Sequence, residues 1–303
     1  MTISVAGRCC KMNIHLAGIE ADFNRAEGYV NTGHKNYLTT FEHFSRTKNE
    51  EISIRQVKQC YEAYPNCNVI LDSGAFSRMN GVVNFTLEDY INFLHRSKDY
   101  FYRYITLDYP LKPNVSQEEI QFSFIETQKN LEILEKEGLT PIPVYQRIWK
   151  RLDRLESYLE KYDYICIAGA GGFFSTKDVQ EEIEIYFNDV FELNSKYNKK
   201  LHGLAQTKLE VLKRFPFYSV DSTSWKMTSA MGNVITFKNL FDKMESFWLG
   251  KDSFETNIFS KYLYDSMDKK SGHMERSIFN VEFFNNMERI LTELWKERGI
   301  VWS

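Results

Sequence analysis

The 303-residue sequence predicts an α/β fold built on a parallel sheet, and three observations carry that reading. Short apolar runs alternate with longer amphipathic stretches along most of the chain. About eight such runs follow one another in roughly 250 residues, the size of a (β/α)8 barrel. Nearly every run ends on a polar residue or a glycine. A doubly wound open sheet fits the same alternation.

The elements follow in order. Residues 12–18 (MNIHLAG) read as the first strand and 54–64 as a helix. Residues 67–72 (CNVILD) form the next strand, and 86–97 a helix with Thr86 near its start. "YRYITLD" (102–108) is strand-like. A long helix then runs over 116–137, with Ser116 as N-cap, Glu119 at capping-box spacing and Gly138 as its stop. "PIPVYQ" (141–146), "YDYICIAG" (162–169), "LHGLA" (201–205) and "FYSVD" (217–221) are strands, followed by helices over 151–161, 176–197 and 207–214. "NVITF" (233–237) supplies the eighth strand, and 281–298 has helical spacing. The expected organisation is one domain over 1–303: a barrel over about 10–240 and a helical C-terminal extension over 241–303.

Hydrophobic (43%) and charged (26%) fractions are globular, and no apolar run is long enough to span a bilayer, so no membrane partner is expected. The net charge of −3 does not by itself point to a polyanion. Five cysteines (Cys9, Cys10, Cys60, Cys67 and Cys166) at irregular spacing fit a reducing cytoplasm. The six histidines show no metal-ligand spacing, and each reads as structural, although His15 falls close enough to the first strand's end to line a barrel mouth.

The strand ends carry the chemistry: Asp72, Asp108, Gln146, Gly169, Gln206 and Asp221. In a barrel these ends converge on one mouth. Asp72 opens "DSGAFS", in which Ser73, Gly74 and Ala75 leave the backbone nearly bare and Phe76 offers a flat face for a planar ring. Asp72 and Asp221 form a carboxylate pair of the kind that glycosidic chemistry uses, one acid attacking the sugar carbon and the other moving the leaving-group proton. Asp108 and Gln146 match the donor and acceptor edge of guanine. The glycine-rich turn "AGAGG" (168–172) matches neither dinucleotide nor P-loop spacing, and it offers amides and carbonyls to a base edge.

"LDSGAFS" resembles the D-S-G-G-F/Y-Q motif of the tRNA-guanine transglycosylase superfamily. "GVVNFTLEDY", "TLDYP", "VYQR", "YDYICIAGAGG" and "HGLAQTKLEVLKRFPFYSVDSTSW" resemble that family's later motifs, in order, over roughly residues 65–230. The resemblance implies Asp221 as nucleophile and Asp72 as general acid/base. It implies Phe76 as the stacking ring, with Asp108, Gln146 and the backbone of Gly169, Gly171 and Gly172 reading the base, and Ser73, Gly74 and Trp225 beside it. It implies exchange of guanine for a 7-deazaguanine, such as a pre-queuosine precursor, in DNA or alternatively in tRNA, with no metal or redox cofactor. The family's C-x-C-x-x-C…H zinc pattern has no counterpart here, since no cysteine follows Cys166. Together with the V-D-S-T-S-W ending, that likens the chain to the DNA-acting branch. A glycosylase using water and a non-catalytic binding subunit are the other readings. Arg147, Lys150, Arg151, Lys208 and Lys226 are the candidates for phosphate contact, a solvated helix face being the alternative for the first three.

Overall fold

The computed structural model describes residues 11–21, 23–47, 49–112, 115–169, 177–237, 244–248 and 272–302. Eight parallel strands make one curled sheet: β1 (Asn13–Ala17), β2 (Asn36–Thr40), β3 (Asn68–Asp72), β4 (Arg103–Tyr104), β5 (Val144–Gln146), β6 (Tyr164–Ala168), β7 (Lys200–Gly203) and β8 (Ser219–Ser222). Their spatial order is β4-β3-β2-β1-β8-β7-β6-β5. The two ends of this order are not joined by a continuous ladder. A single parallel bridge, Ile105 to Ile142, links them, with Ile142 N–H donating to Tyr104 O (2.8 Å) and Thr106 N–H donating to Ile142 O (2.9 Å). The arrangement is compatible with a (β/α)8 barrel.

Side chains alternate across a strand, so each face collects every second residue. The outer face of β1, β3, β6 and β8 supplies Ile14, Leu16, Val69, Leu71, Ile165, Ile167 and Val220 to the large core under the helices. The inner face forms a separate cluster of Ala17, Leu38, Ile70, Ile105, Ile142, Val144, Cys166 and Ala168. Residues from six successive positions around the sheet meet in that cluster only because the sheet curls.

The helices are short or capped where the sequence gives them caps. In chain order they are α1 (Ala26–Val30), α2 (Phe41–Ser45), α3 (Glu50–Ala63), α4 (Ala75–Met79), α5 (Leu87–Ser97), α6 (Gln117–Lys136), α7 (Leu152–Lys161), α8 (Lys177–Asn194), α9 (Leu209–Leu212), α10 (Ser224–Ala230) and α11 (His273–Glu297). Thr86 and Ser116 cap α5 and α6 through complete capping boxes with Asp89 and Glu119. Gly138 follows α6 at φ +74, where only glycine is unstrained.

Two expectations change. The count of eight parallel strands holds, but its membership does not. β2 replaces residues 233–237, which instead form β9 (Asn233–Phe237), paired antiparallel with β10 (Met244–Trp248) in a separate two-stranded sheet. Nor is the C-terminal region wholly helical, given β10, and α11 is built into the main body. Glu288 of α11 is buried and accepts from Ile14 N–H (2.8 Å) and Asn36 Nδ2 (2.7 Å), with Lys11 Nζ at 2.6 Å. Asn36 also donates to Asn13 Oδ1 and accepts from Asn68. The first residues of β1, β2 and β3 are thus asparagines tied together and closed off by a carboxylate from the last helix. Trp295 Nε1 of α11 donates to Leu212 O of α9, and Asn280 Oδ1 accepts from Ile235 N–H of β9.

Candidate active site

The same alternation that buries Ile70 on the inner face puts Asp72 there two residues later. By the same parity Gln146 follows Val144 inward, and Asp221 lies beside His15 in the β1–β8 register. The sequence-predicted acids therefore share one end of the sheet's concave face.

Electrostatics bind them into one cluster. Burial pushes the Asp72 carboxyl up to about 6, and the negative charge of Asp221 pushes in the same direction, against a hydrogen bond from Gly74 N–H (2.9 Å). Burial pushes Asp108 up to about 7, with Asp72 adding to the rise and the Gln146 amide opposing it. Gln146 Nε2, at the end of β5, donates to Asp108 Oδ2, four residues past the end of β4, so the acid and the amide are in direct contact. Asp221 is 8% exposed; its Oδ1 accepts from Ala205 N–H (2.9 Å) and from His202 Nε2 (3.2 Å). Ala205 sits at φ +52, a left-handed backbone that costs a non-glycine residue about 1–2 kcal/mol. This strain is spent where its amide meets a carboxylate.

The residues around the acids divide into those facing solvent and those held inside. Phe76, on α4, is 53% exposed. Ser73 is fully buried, with no hydrogen-bond partner for its Oγ. Gly74 has φ +76, and a Cβ there would lie 2.8 Å from Glu42 Cβ and 3.0 Å from Glu42 N. Glu42 and the turn thus account for this glycine without a ligand. Gly169 is at φ +86 with its carbonyl accepting from Arg147 Nε (2.8 Å). Gly171 and Gly172 lie outside the described residues.

Trp225 is corrected to a core residue. It is fully buried, packs edge-on against Tyr29 (5.0 Å) and donates Nε1–H to Ala17 O (2.9 Å), leaving no surface for a substrate. Among the cation candidates, Lys150 and Lys208 face solvent. Arg151 makes a two-pronged pair with Asp153 (2.8 and 2.6 Å), Arg147 also reaches Glu182 at 3.5 Å, and Lys226 Nζ donates to Gly18 O (2.6 Å). Gln206, another strand-end candidate, is buried and accepts from Lys208 N–H at 3.3 Å.

Sequence reasoning missed the part played by His202, Ser219, Tyr164 and Ala205. The parity of β7 and β8 was the available signal: with Leu201 and Val220 facing the outer core, His202, Ser219 and Asp221 fall on the other face. Among the described residues, no group of three or more His, Cys, Asp or Glu side chains could hold a metal ion, and no helix is long and apolar enough to cross a membrane. A separate open depression lined by Glu20, Phe23, Asn24, Gln59, Glu62 and Ala63 shares no residue with the acid cluster.

The chain matches no model of a known protein family and no curated protein.

Proposed function

We propose that the curled sheet is a (β/α)8 barrel whose C-terminal mouth is the active site of a base-exchange transglycosylase. It replaces guanine in DNA with a 7-deazaguanine through a covalent bond between Asp221 and the sugar. The observation that carries this reading is the coupling of Asp72 to Asp221, with the hydrogen-bonded Asp108–Gln146 pair coupled to the same acid. The resemblance of the ordered motifs supports the choice of base and of nucleic acid.

The target guanosine leaves the base stack, at a cost of a few kcal/mol. Stacking on Phe76 offsets about 1–3 kcal/mol of it. Asp108 accepts from the guanine N1–H and exocyclic amine, and Gln146 holds Asp108 in place. A lone pair of Asp221 forms the C–O bond to C1′ as the C1′–N9 bond breaks and its electrons pass to N9. Protonated Asp72 gives N9 its proton. The 7-deazaguanine then enters, Asp72 removes its N9 proton, and N9 displaces Asp221 from C1′. Protons balance over the cycle, and two displacements retain the anomeric configuration. An acid pushed up to about 6 is suited to both halves, since it gives and takes a proton near neutrality.

Duplex DNA, single-stranded DNA and tRNA, each offered with labelled 7-deazaguanine, test the reading. The expected result is label in DNA, with one guanine released per base incorporated. Label in tRNA alone makes the substrate tRNA. An abasic product without label makes the protein a glycosylase.

A further inference from the structure

We propose that His202, backed by Ser219 and Tyr164, is a positioning residue that fixes Asp221 with Oδ2 as its attacking oxygen. The inference rests on Asp221 being the nucleophile of the exchange reaction.

The geometry is a chain of four polar side chains on three adjacent strands. Tyr164 OH lies 2.5 Å from Ser219 Oγ, Ser219 Oγ 2.6 Å from His202 Nδ1, and His202 Nε2 3.2 Å from Asp221 Oδ1. His202 and Ser219 are fully buried. An ionised carboxylate only accepts, so Nε2 carries the proton in the last bond. Nδ1 then meets a hydroxyl, and Ser219 Oγ–H donates to it. Ser219 accepts in turn from Tyr164, whose phenol stays protonated because burial pushes it well above its usual range. His15 packs edge-on against the His202 ring at 5.9 Å, and burial pushes His15 down to about 3, so the neighbouring ring is neutral.

The second donor to Asp221 is the Ala205 amide, and it also ends on Oδ1. Two donors on one oxygen fix the plane of the carboxylate, and Oδ2 receives no hydrogen bond among the described residues. That asymmetry turns an acid into an oriented nucleophile: one oxygen is anchored, the other keeps its lone pairs for C1′. Removing the imidazole leaves only the Ala205 amide, about which the carboxylate can swing.

The test combines nitrogen NMR of the intact protein with single-turnover kinetics of four variants. In the wild type, His202 is expected with its proton on Nε2 and a lone pair on Nδ1, and Ser219→Ala is expected to move the Nδ1 resonance. A proton on Nδ1 with Nε2 bare overturns the relay, and this result does not depend on any catalytic activity. In turnover, His202→Leu is expected to slow covalent attack by about a hundredfold, the scale of a small misplacement of reacting groups. KM for the base should stay unchanged. His202→Gln, which returns an N–H near the Nε2 position, is expected to recover most of the rate, and Tyr164→Phe and Ser219→Ala to give intermediate losses. A merely structural role predicts lower thermal stability in His202→Leu and His202→Gln alike, with no rescue. Wild-type rates in a folded His202→Leu protein also overturn the proposal. If the wild type exchanges no base in any nucleic acid while NMR finds the Nε2–H tautomer, the exchange reading falls and the anchored carboxylate stands.

Discussion

The charge of Asp221, on β8, raises the acidity threshold of Asp72, on β3, although the two strands lie three places apart in the sheet. Residues so far separated in sequence interact only because the sheet curls and both point to its concave face. The same curvature brings Asp108 and Gln146 together across the break between β4 and β5.

That weakened acidity has a stability cost with a definite sign. Asp72 ionises near 3.8 in the unfolded chain and near 6 in the folded one, so the folded state binds the proton more tightly. Its stabilising contribution is complete below about pH 4 and is lost as the pH rises through about 6, amounting to about 3 kcal/mol at most. Asp72→Asn, which keeps an acceptor for Gly74 N–H, is expected to raise the melting temperature at about pH 8. The gain should shrink to nothing near pH 4. Thermal melts of both proteins across that range check it.

The two acids of the pair are expected to fail differently. Asp221→Asn removes the proposed nucleophile and should lower exchange by on the order of 10³-fold or more, with no covalent adduct. Asp72→Asn should abolish exchange while the base still binds, because its loss affects proton transfer. Equilibrium binding of labelled base beside single-turnover rates separates the two. Equal loss of binding and rate in Asp72→Asn would point to a structural role instead.

Base affinity should depend on pH through Asp108. In the proposed reaction ionised Asp108 is the form that accepts from guanine, and burial pushes its carboxyl up to about 7. KM for the base is therefore expected to fall as the pH rises from about 6 to about 8, and Asp108→Asn should flatten that dependence. Removing the acceptor altogether, in Asp108→Ala, should weaken base binding by about 1.5–3 kcal/mol.

At the other end of the sheet, Glu288→Ala would leave Ile14 N–H and the Asn36 amide without their buried acceptor. A loss on the order of 3 kcal/mol or more is expected in denaturant unfolding, with base binding by the folded fraction unchanged.

The contrast between the two ends explains what the sequence could reveal. Asp72, Asp108, Gln146 and Asp221 each close an apolar run, so the places of Asp72, Gln146 and Asp221 at the C-terminal ends of β3, β5 and β8 were legible from local pattern, whereas β4 stops at Tyr104 and leaves Asp108 four residues past it. β2 was not. Its residues, NYLTT, hold only two large apolar side chains, and its polar ones are satisfied by distant groups. Asn36 bonds to Glu288 and Thr39 to Glu20. The VIT core of residues 233–237 looked more like a strand of the main sheet, yet antiparallel pairing with β10 carries it away. His202 is similar: its meaning lies in Ser219 and Asp221, 17 and 19 residues further on, and only the parallel pairing of β7 with β8 unites them. Trp225 misled because only the resemblance of the V-D-S-T-S-W ending put it beside a base, whereas its indole is fully buried and its N–H is already bound to Ala17.

Denaturing the working enzyme on a guanine-containing DNA strand, digesting it and mapping the mass of the attached sugar tests the central claim most directly. The account predicts a deoxyribose-linked adduct on the peptide carrying Asp221, formed as guanine is released and absent from Asp221→Asn. An adduct on another residue, or full exchange by Asp221→Asn, would contradict it.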